Sequence, residues 1–434
     1  MPVWGKSIVS VVARASAAGR PFGRRADGTV AVIFGLALVP MLLFAGSAID
    51  YGRASNAKAA LAAALDAAAL LTVNNRAMVT SSALAERQAI DYFKQKAATV
   101  ANATGIELVL KVKDENGRRV TQASFKAVVP TTLMRLAAIP NIAIGENASA
   151  VSELPSYIDF YLLLDNTPSM GVGATPSDVS TMVNNTSDRC AFACHDVSAK
   201  GKDYYALAKK LSVTMRIDVV RQATQRLMDT AAASATVPDQ FRAALYTFGK
   251  SCENLGLETI SSLDAKLSKV KKDAEKIDLM TIPYQNYNND QCTDYDGTFA
   301  ALNKAIPNPG DGNSAASPQK VVFFVSDGVA DAYYPSTCSR VTTGGRCQEP
   351  IKVADCKALK DRGIRVAVLY TTYLPLPTNA WYNTWIAPFA STISTRMSDC
   401  ASPGLYFEVS PTEGIAEAME ALFEKAISQA RLTN

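Results

Sequence analysis

Histidine is almost missing from this chain, which has one, His195, in 434 residues. A Ser-His-Asp triad would hang on that single side chain, and no nucleophile elbow accompanies it. Catalytic zinc needs more ligands of suitable type than one His and paired cysteines supply. In Cys190-Ala191-Phe192-Ala193-Cys194-His195 three residues separate the cysteines, where haem attachment uses two. Gly-rich phosphate-binding motifs are also lacking, so the chain reads as a non-enzyme. Charge is scarce: charged residues are 19% of the chain and the net charge is +4. Five basic residues (Lys6, Arg14, Arg20, Arg24, Arg25) against Asp27 place all of that excess before residue 29. The remainder is neutral, and no basic field points to nucleic acid.

No cysteine precedes Cys190. The eight lie at 190, 194, 252, 292, 338, 347, 356 and 400. An even count with spacings unlike zinc sites predicts disulfides in an oxidising compartment. Nearest pairing gives Cys190–Cys194 and Cys338–Cys347. Cys356 begins a helix before a predicted strand and Cys400 ends the loop after it, so these two pair, which leaves Cys252–Cys292.

Charge is absent altogether from Thr29 to Ile49. That is about the ~20 residues a membrane helix needs, and Pro40 is tolerated there. The basic cluster before it places residues 1–27 as a cytoplasmic tail, with a transmembrane helix at 28–50 and the rest outside. An Ala- and Leu-rich stretch, 57–71, then continues as helix, to about Ala98 with a break near Asn74-Asn75. It reads either as a surface that packs a neighbouring helix closely or as a plain stalk. Ile106–Val112, Val120–Val129 and Ile142–Val151 read as strands, with a turn at Asn116-Gly117 and a short helix through Ala138. Residues 51–155 are thus a helical stalk with a small α+β unit.

From Tyr157 on, strands and helices alternate as in a doubly wound sheet. Strands are expected at Ile158–Leu164, Phe241–Phe248, Lys320–Ser326, Ile364–Tyr370 and Leu405–Val409. Helices are expected at Tyr204–Ala232, Leu263–Lys276, Phe299–Ala305, Ile351–Asp361 and Thr412–Arg431. Four long loops, 171–202, 281–297, 330–350 and 372–404, carry most of the cysteines and should gather at one edge of the sheet. Trp381 and Trp385 in the last loop are either partner contacts or anchors of the loop itself.

That edge also receives Asp165-Asn166-Thr167-Pro168-Ser169 after the first strand, Gly297-Thr298 before a helix, and Ser326-Asp327-Gly328 after another strand. Two carboxylates and three hydroxyls form an all-oxygen set suited to a hard divalent cation. The set resembles the metal-ion-dependent adhesion site of von Willebrand factor A-type domains, which carry Asp-x-Ser-x-Ser, a later Thr and a later Asp. The resemblance implies that Asp165, Thr167, Ser169, Thr298 and Asp327 hold Mg²⁺, or Mn²⁺ or Ca²⁺, with one position open for an acidic residue of a protein partner. Thr167 stands where the family usually has Ser. Thr293 precedes Thr298 and is the alternative for the second loop; Thr298 is preferred because Gly precedes it and a helix follows. On this reading residues 156–434 form an A-type, Rossmann-like domain.

The N-terminal third carries Arg25-Ala26-Asp27-Gly28-Thr29 entering the apolar segment. Asp50-Tyr51-Gly52-Arg53 leaves it, Leu65-Asp66-Ala67-Ala68-Ala69-Leu70 follows, and Val129-Pro130-Thr131 comes later. In this order they resemble TadG-like proteins of the Tad (Flp-type) pilus system, whose pseudopilin-like part the α+β unit matches. No Glu follows Gly28 as in prepilins, so the helix reads as a permanent anchor. The resemblance implies an assembly or adhesion factor anchored in the bacterial inner membrane, its A-type domain periplasmic and bound to pilus components. The alternative is an anchored adhesin for a surface or matrix ligand without a pilus role. A co-factor of a cytoplasmic ATPase agrees poorly with the cysteines.

Overall fold

A computed structural model describes residues 29–115, 117–334, 336–373, 375–377, 379–410 and 414–432. The basic tail, 1–27, lies outside them, as do Asn116 of the expected turn and Thr412 of the last expected helix. The chain divides into two compact units. One comprises the described residues up to Asn74, Ser81–Lys113 and Val120–Val151. The other comprises Asn75–Thr80, Asp114–Arg119 and the residues from Ser152 onward.

In the first unit, helix α1 (Thr29–Leu71) runs unbroken for 43 residues through Pro40, roughly 65 Å. It is long and apolar enough to cross a membrane. Its large apolar side chains between Val30 and Ile49 are exposed, except half-buried Leu43. Beyond Asp50 the helix buries one stripe instead: Ala54, Ala57, Leu61, Ala64 and Ala68, at the three- and four-residue spacing of a helix face. The partners are this chain's own: helix α2 (Ser82–Ala97), through Ala89 and Phe93, and a sheet. That sheet has the order β1 (Thr104–Glu115), β2 (Arg118–Pro130), β3 (Asn141–Glu153). Between β2 and β3 the chain makes a short 3₁₀ turn, Met134–Ala137, in place of the expected helix.

The second unit is a mixed α/β fold on a mainly parallel sheet. Its strands are β4 (Ile158–Leu164), β5 (Phe241–Ser251), β6 (Asn254–Asp264), β7 (Gln319–Ser326), β8 (Arg365–Thr371) and β9 (Tyr406–Val409). In space the order is β9-β8-β7-β4-β5-β6, with β6 alone of these antiparallel. Numbered from β4, this is the 3-2-1-4-5-6 order of a doubly wound sheet. Every residue of β4 is buried. Ile158, Phe160, Leu162 and Leu164 enter one core with helices α3 (Arg216–Ser234) and α7 (Ile415–Leu432). Tyr161 and Leu163 enter the other, with α4 (Tyr295–Ala305), α5 (Val353–Lys360) and α6 (Ala390–Cys400). The alternation of a strand with two dry faces thus assigns helices to both sides.

The structure departs from expectation in four places. The helix expected at Tyr204–Ala232 is two, Tyr204–Lys210 and α3. Ser212 between them takes φ +55, and residues 214–216 pair with 172–174 instead of continuing the helix. Strand β6 was not foreseen: it is an edge strand with one fully buried residue and several irregularities of register. The long loops are partly ordered, holding helix Pro176–Asn185, closed by a Thr175/Asp178 capping box, and α6. Three of the four expected disulfides form, Cys252–Cys292, Cys338–Cys347 and Cys356–Cys400. Cys190 and Cys194 remain thiols. Their segment is pinned by pairing of Phe192 with Val172 and of Ala193 with Gly171, and the Cys190 Sγ takes the Phe192 N–H at 3.4 Å.

Candidate metal centre and its cleft

The parallel ladder between β4 and β7 sets the site. Leu164 faces Val325, and the Asp165 N–H still bonds the Val325 carbonyl at 2.9 Å. Asp165 therefore leaves the strand end beside Ser326, whose hydroxyl donates to its Oδ2 at 2.5 Å. On the other oxygen, Oδ1 accepts the Thr167 N–H at 3.0 Å and the Thr167 hydroxyl at 2.7 Å. Thr167 Oγ1 lies 3.3 Å from Ser169 Oγ. Asn166 points the other way. It bonds Phe248 N–H and the Gly249 carbonyl, locking the loop to β5 while residues 165, 167 and 169 share one side.

After Ser326 the chain turns through Asp327 and Gly328. Gly328 has φ +78, and a Cβ there would meet Ile393 at 2.6 Å, so the turn accepts no side chain. Helix α4 approaches from a third direction. Its Tyr295 hydroxyl lies 2.6 Å from Ser326 Oγ, and Thr298 is one turn further on the same buried face. The Thr298 hydroxyl is buried without a hydrogen-bond partner. Gly297 leaves room for the Asp294 carboxylate, which caps the helix at Gly297 N–H, 2.8 Å away. Asp296 is taken by Lys352, and Thr293 pairs through its backbone with Asp331. Of the two threonines, Thr298 has the uncommitted buried hydroxyl.

One component had no sequence expectation. Arg216, 2% exposed, opens α3 and reaches Asp327 Oδ2 at 3.5 Å and the Thr372 carbonyl at 3.3 Å; its Nε is unpartnered. No sequence signal marks it, because the amphipathic period runs on across the break that makes it a helix start. Burial pushes the Asp165 carboxyl above its ordinary range. Burial, then the Asp165 charge, push Asp327 up to about 7. Burial lowers Arg216. Two carboxylates thus share one buried guanidinium, next to an orphaned hydroxyl. An all-oxygen donor set with this charge suits a hard divalent cation.

The site opens into a cleft of about 520 Å³ lined by Ser169 and by residues of all four long loops, among them Phe192, Gln285, Arg346, Tyr373 and Trp381. Trp381 is half-buried. Its Nε1 donates to Gln348 at 2.6 Å, and the Arg346 guanidinium lies 4.8 Å over its ring. It both anchors its loop and forms cleft wall. His195 is stacked on Tyr205 at 4.2 Å, and its buried Nδ1 has no hydrogen-bond partner among the described residues.

Residues 28–75 match the family model described as "Putative Flp pilus-assembly TadE/G-like". The match is confined to that N-terminal segment. The matched segment spans the whole of α1, its membrane-length part and its packed stripe alike. A search of curated proteins found no match. Among solved structures the chain is similar to a mutant of the PilB minor pilin from Streptococcus sanguinis (14% identity, 76% of this chain, 79% of that one, TM-score 0.34). It is also similar to the vWF domain of the type V pili tip protein Mfa5 from Porphyromonas gingivalis (9% identity, 63% and 95%, TM-score 0.35). A third is proximal thread matrix protein 1 from the mussel byssus, with a zinc-occupied MIDAS motif (12% identity, 63% and 46%, TM-score 0.34). The fold of the second unit rests on the chain's own strand order, apart from these likenesses.

Proposed function

We propose that this chain is a membrane-anchored, extracytoplasmic assembly or adhesion factor of a Tad (Flp-type) pilus that binds a protein partner through a divalent cation. In this reading α1 spans the bacterial inner membrane once. The tail is cytoplasmic, and the A-type domain, with its three disulfides, is periplasmic. Asp165, Thr167, Ser169, Thr298 and Asp327 hold the ion, Mg²⁺ or else Mn²⁺ or Ca²⁺, and a partner's carboxylate completes its coordination. The observation that supports this is the buried Asp165–Asp327 pair and the unpartnered buried Thr298 hydroxyl, behind a cleft that Ser169 of the same set lines. A bound dication would supply the positive centre; the four loops supply the selectivity. In this reading the chain acts by binding.

The test is a pull-down from envelope extract with the detergent-solubilised chain, with and without EDTA, alongside thermal melts. Saturation at 100 times Kd should stabilise the wild type by about 2.7 kcal/mol. Asp165→Asn should melt normally without the ion, lose that gain, and bind no partner; EDTA should act the same way on the wild type. Cells in which Asp165→Asn and Asp327→Asn build pili normally would reduce the site to a relic. Pili lost on deletion separate this reading from an adhesin with no pilus role.

A further inference from the structure

Asp50 is the first charged residue after the apolar run, yet it is 1% exposed. Its Oδ2 accepts the N–H groups of Leu133 and Met134 at 2.8 Å each and Thr132 at 3.0 Å. Arg53 adds a bond to Thr132 Oγ1 at 2.6 Å. The carboxylate therefore straps the β2–β3 turn to α1. Contacts along α1 give the direction of that turn. Val129 packs with Ala54 and Ala57, and Ile142 beside them. Residues 132–134 sit at Asp50. Leu133 is tight against Gly46, where a Cβ would fall 2.4 Å from the Leu133 Cβ. Strand ends, neck and tip thus step backward along the helix toward its charge-free part. Gly46 lies three residues inside the end of that part, about 5 Å at the helical rise.

The tip is apolar and open. Leu136 is 80% and Ile139 43% exposed. Residues 131–140 include no acidic group and one basic group, Arg135. Alongside, Phe44 is 79% and Tyr51 70% exposed, an apolar residue and an interface-type aromatic on the two sides of the boundary. A soluble surface gains nothing from such a tip, whereas a lipid surface continuous with that around α1 covers it. We infer that the turn 131–140 is a second membrane contact: Leu136 and Ile139 enter the acyl boundary beside α1, Arg135 meets headgroup phosphates, and Asp50 fixes the depth. This rests on the reading of α1 as a membrane anchor. The tip would set the rotation and tilt with which this unit leaves the bilayer, which a single helix leaves free.

Full-length Leu136→Trp, reconstituted in vesicles whose lipids are brominated near the headgroup, tests it. Leu136 is open, so the substitution leaves the fold intact. Emission at this position, with the parent's three tryptophans subtracted, should shift to the blue and be quenched. Gln122→Trp is the control. Its neighbour Thr121 bonds Thr72, roughly 30 Å further up α1, so this tryptophan should stay water-like and unquenched. Asp50→Asn in the Leu136→Trp chain should weaken the quenching by releasing the strap. Water-like emission at 136, or a blue shift that brominated lipid does not quench and that marks a protein neighbour, overturns the inference. Flotation of the same vesicles after an alkaline wash reports the anchor separately. A chain that floats with 136 unquenched sinks this proposal alone, and one that fails to float sinks the anchor as well.

Discussion

Arg216 changes the electrostatics of the candidate site. By formal charge, two carboxylates already neutralise a divalent ion, and neither would draw in a third. With Arg216 at Asp327, the loaded site carries one positive charge, which a partner's carboxylate can answer. The same guanidinium repels the incoming dication. Arg216→Met should therefore tighten Mn²⁺ binding about tenfold or more, on Coulomb terms at protein-like screening, and weaken capture of the acidic partner. Titration calorimetry reads the first and the EDTA-sensitive pull-down the second. Unchanged ion affinity would mean that the side chain leaves Asp327 on loading. A second residue-scale prediction concerns Asp355. Burial first, and then the Asp296 charge, raise it to about 7. Between its ordinary 3.8 and about 7 the folded chain binds more protons than the unfolded one, so stability falls as pH rises through that window. Asp355→Asn should raise Tm at about pH 8 while changing it little at about pH 4; an equal shift at both would reject the assignment.

Strand β4 carries the site at one end and a buried ion cluster nearer the other. Asp159, fully buried, stands in register between Arg242 of β5 and Lys320 of β7. It takes a two-point bond from Arg242, at 2.6 and 2.8 Å, and another bond from Lys320. Asp159→Ala leaves Lys320 buried and unpaired, which should cost about 3–5 kcal/mol, visible as a lower urea midpoint with the disulfides intact. A loss below 1 kcal/mol would mean that water replaces the carboxylate. Elements of this kind were legible where burial is one-sided or complete: β4, β7 and β8 are apolar runs, and their ends were placed within about a residue. Edge strand β6 was not, because Asn254–Asp264 is mostly half-buried, with one buried residue and an irregular register, and so shows no regular hydrophobic period. The break at 211–215 was hidden for another reason. The amphipathic period continues across it, and only tertiary pairing of 214–216 with 172–174 diverts the chain. Arg216 owes its place beside Asp327 to that diversion, so the five proposed ligands could be nominated from the sequence and Arg216 could not. Ser326 was read as a strand end, although its hydroxyl links Asp165 to Tyr295.

For the whole molecule, sidedness and oxidation state make one testable statement. α1 offers the described chain its one membrane-length apolar helix, and three disulfides follow it, each of which persists only in an oxidising compartment. The excess of basic charge lies before the helix, the arrangement that holds a tail inside. If those features report one topology, protease added to intact spheroplasts should digest residues beyond 51 and spare the tail. Alkylation of denatured, unreduced protein from the same cells should then label two thiols per chain, Cys190 and Cys194. Eight labelled thiols with protection from protease would place the second unit in the cytoplasm and overturn the proposed pilus partner. No labelled thiols, with digestion, would keep the topology and close the remaining pair as a fourth disulfide. That outcome would tighten the loop bearing Phe192, and with it one wall of the cleft over Ser169. The two outcomes thus separate an error in the membrane reading from an error in the loop, since only the first changes which proteins the candidate site can meet.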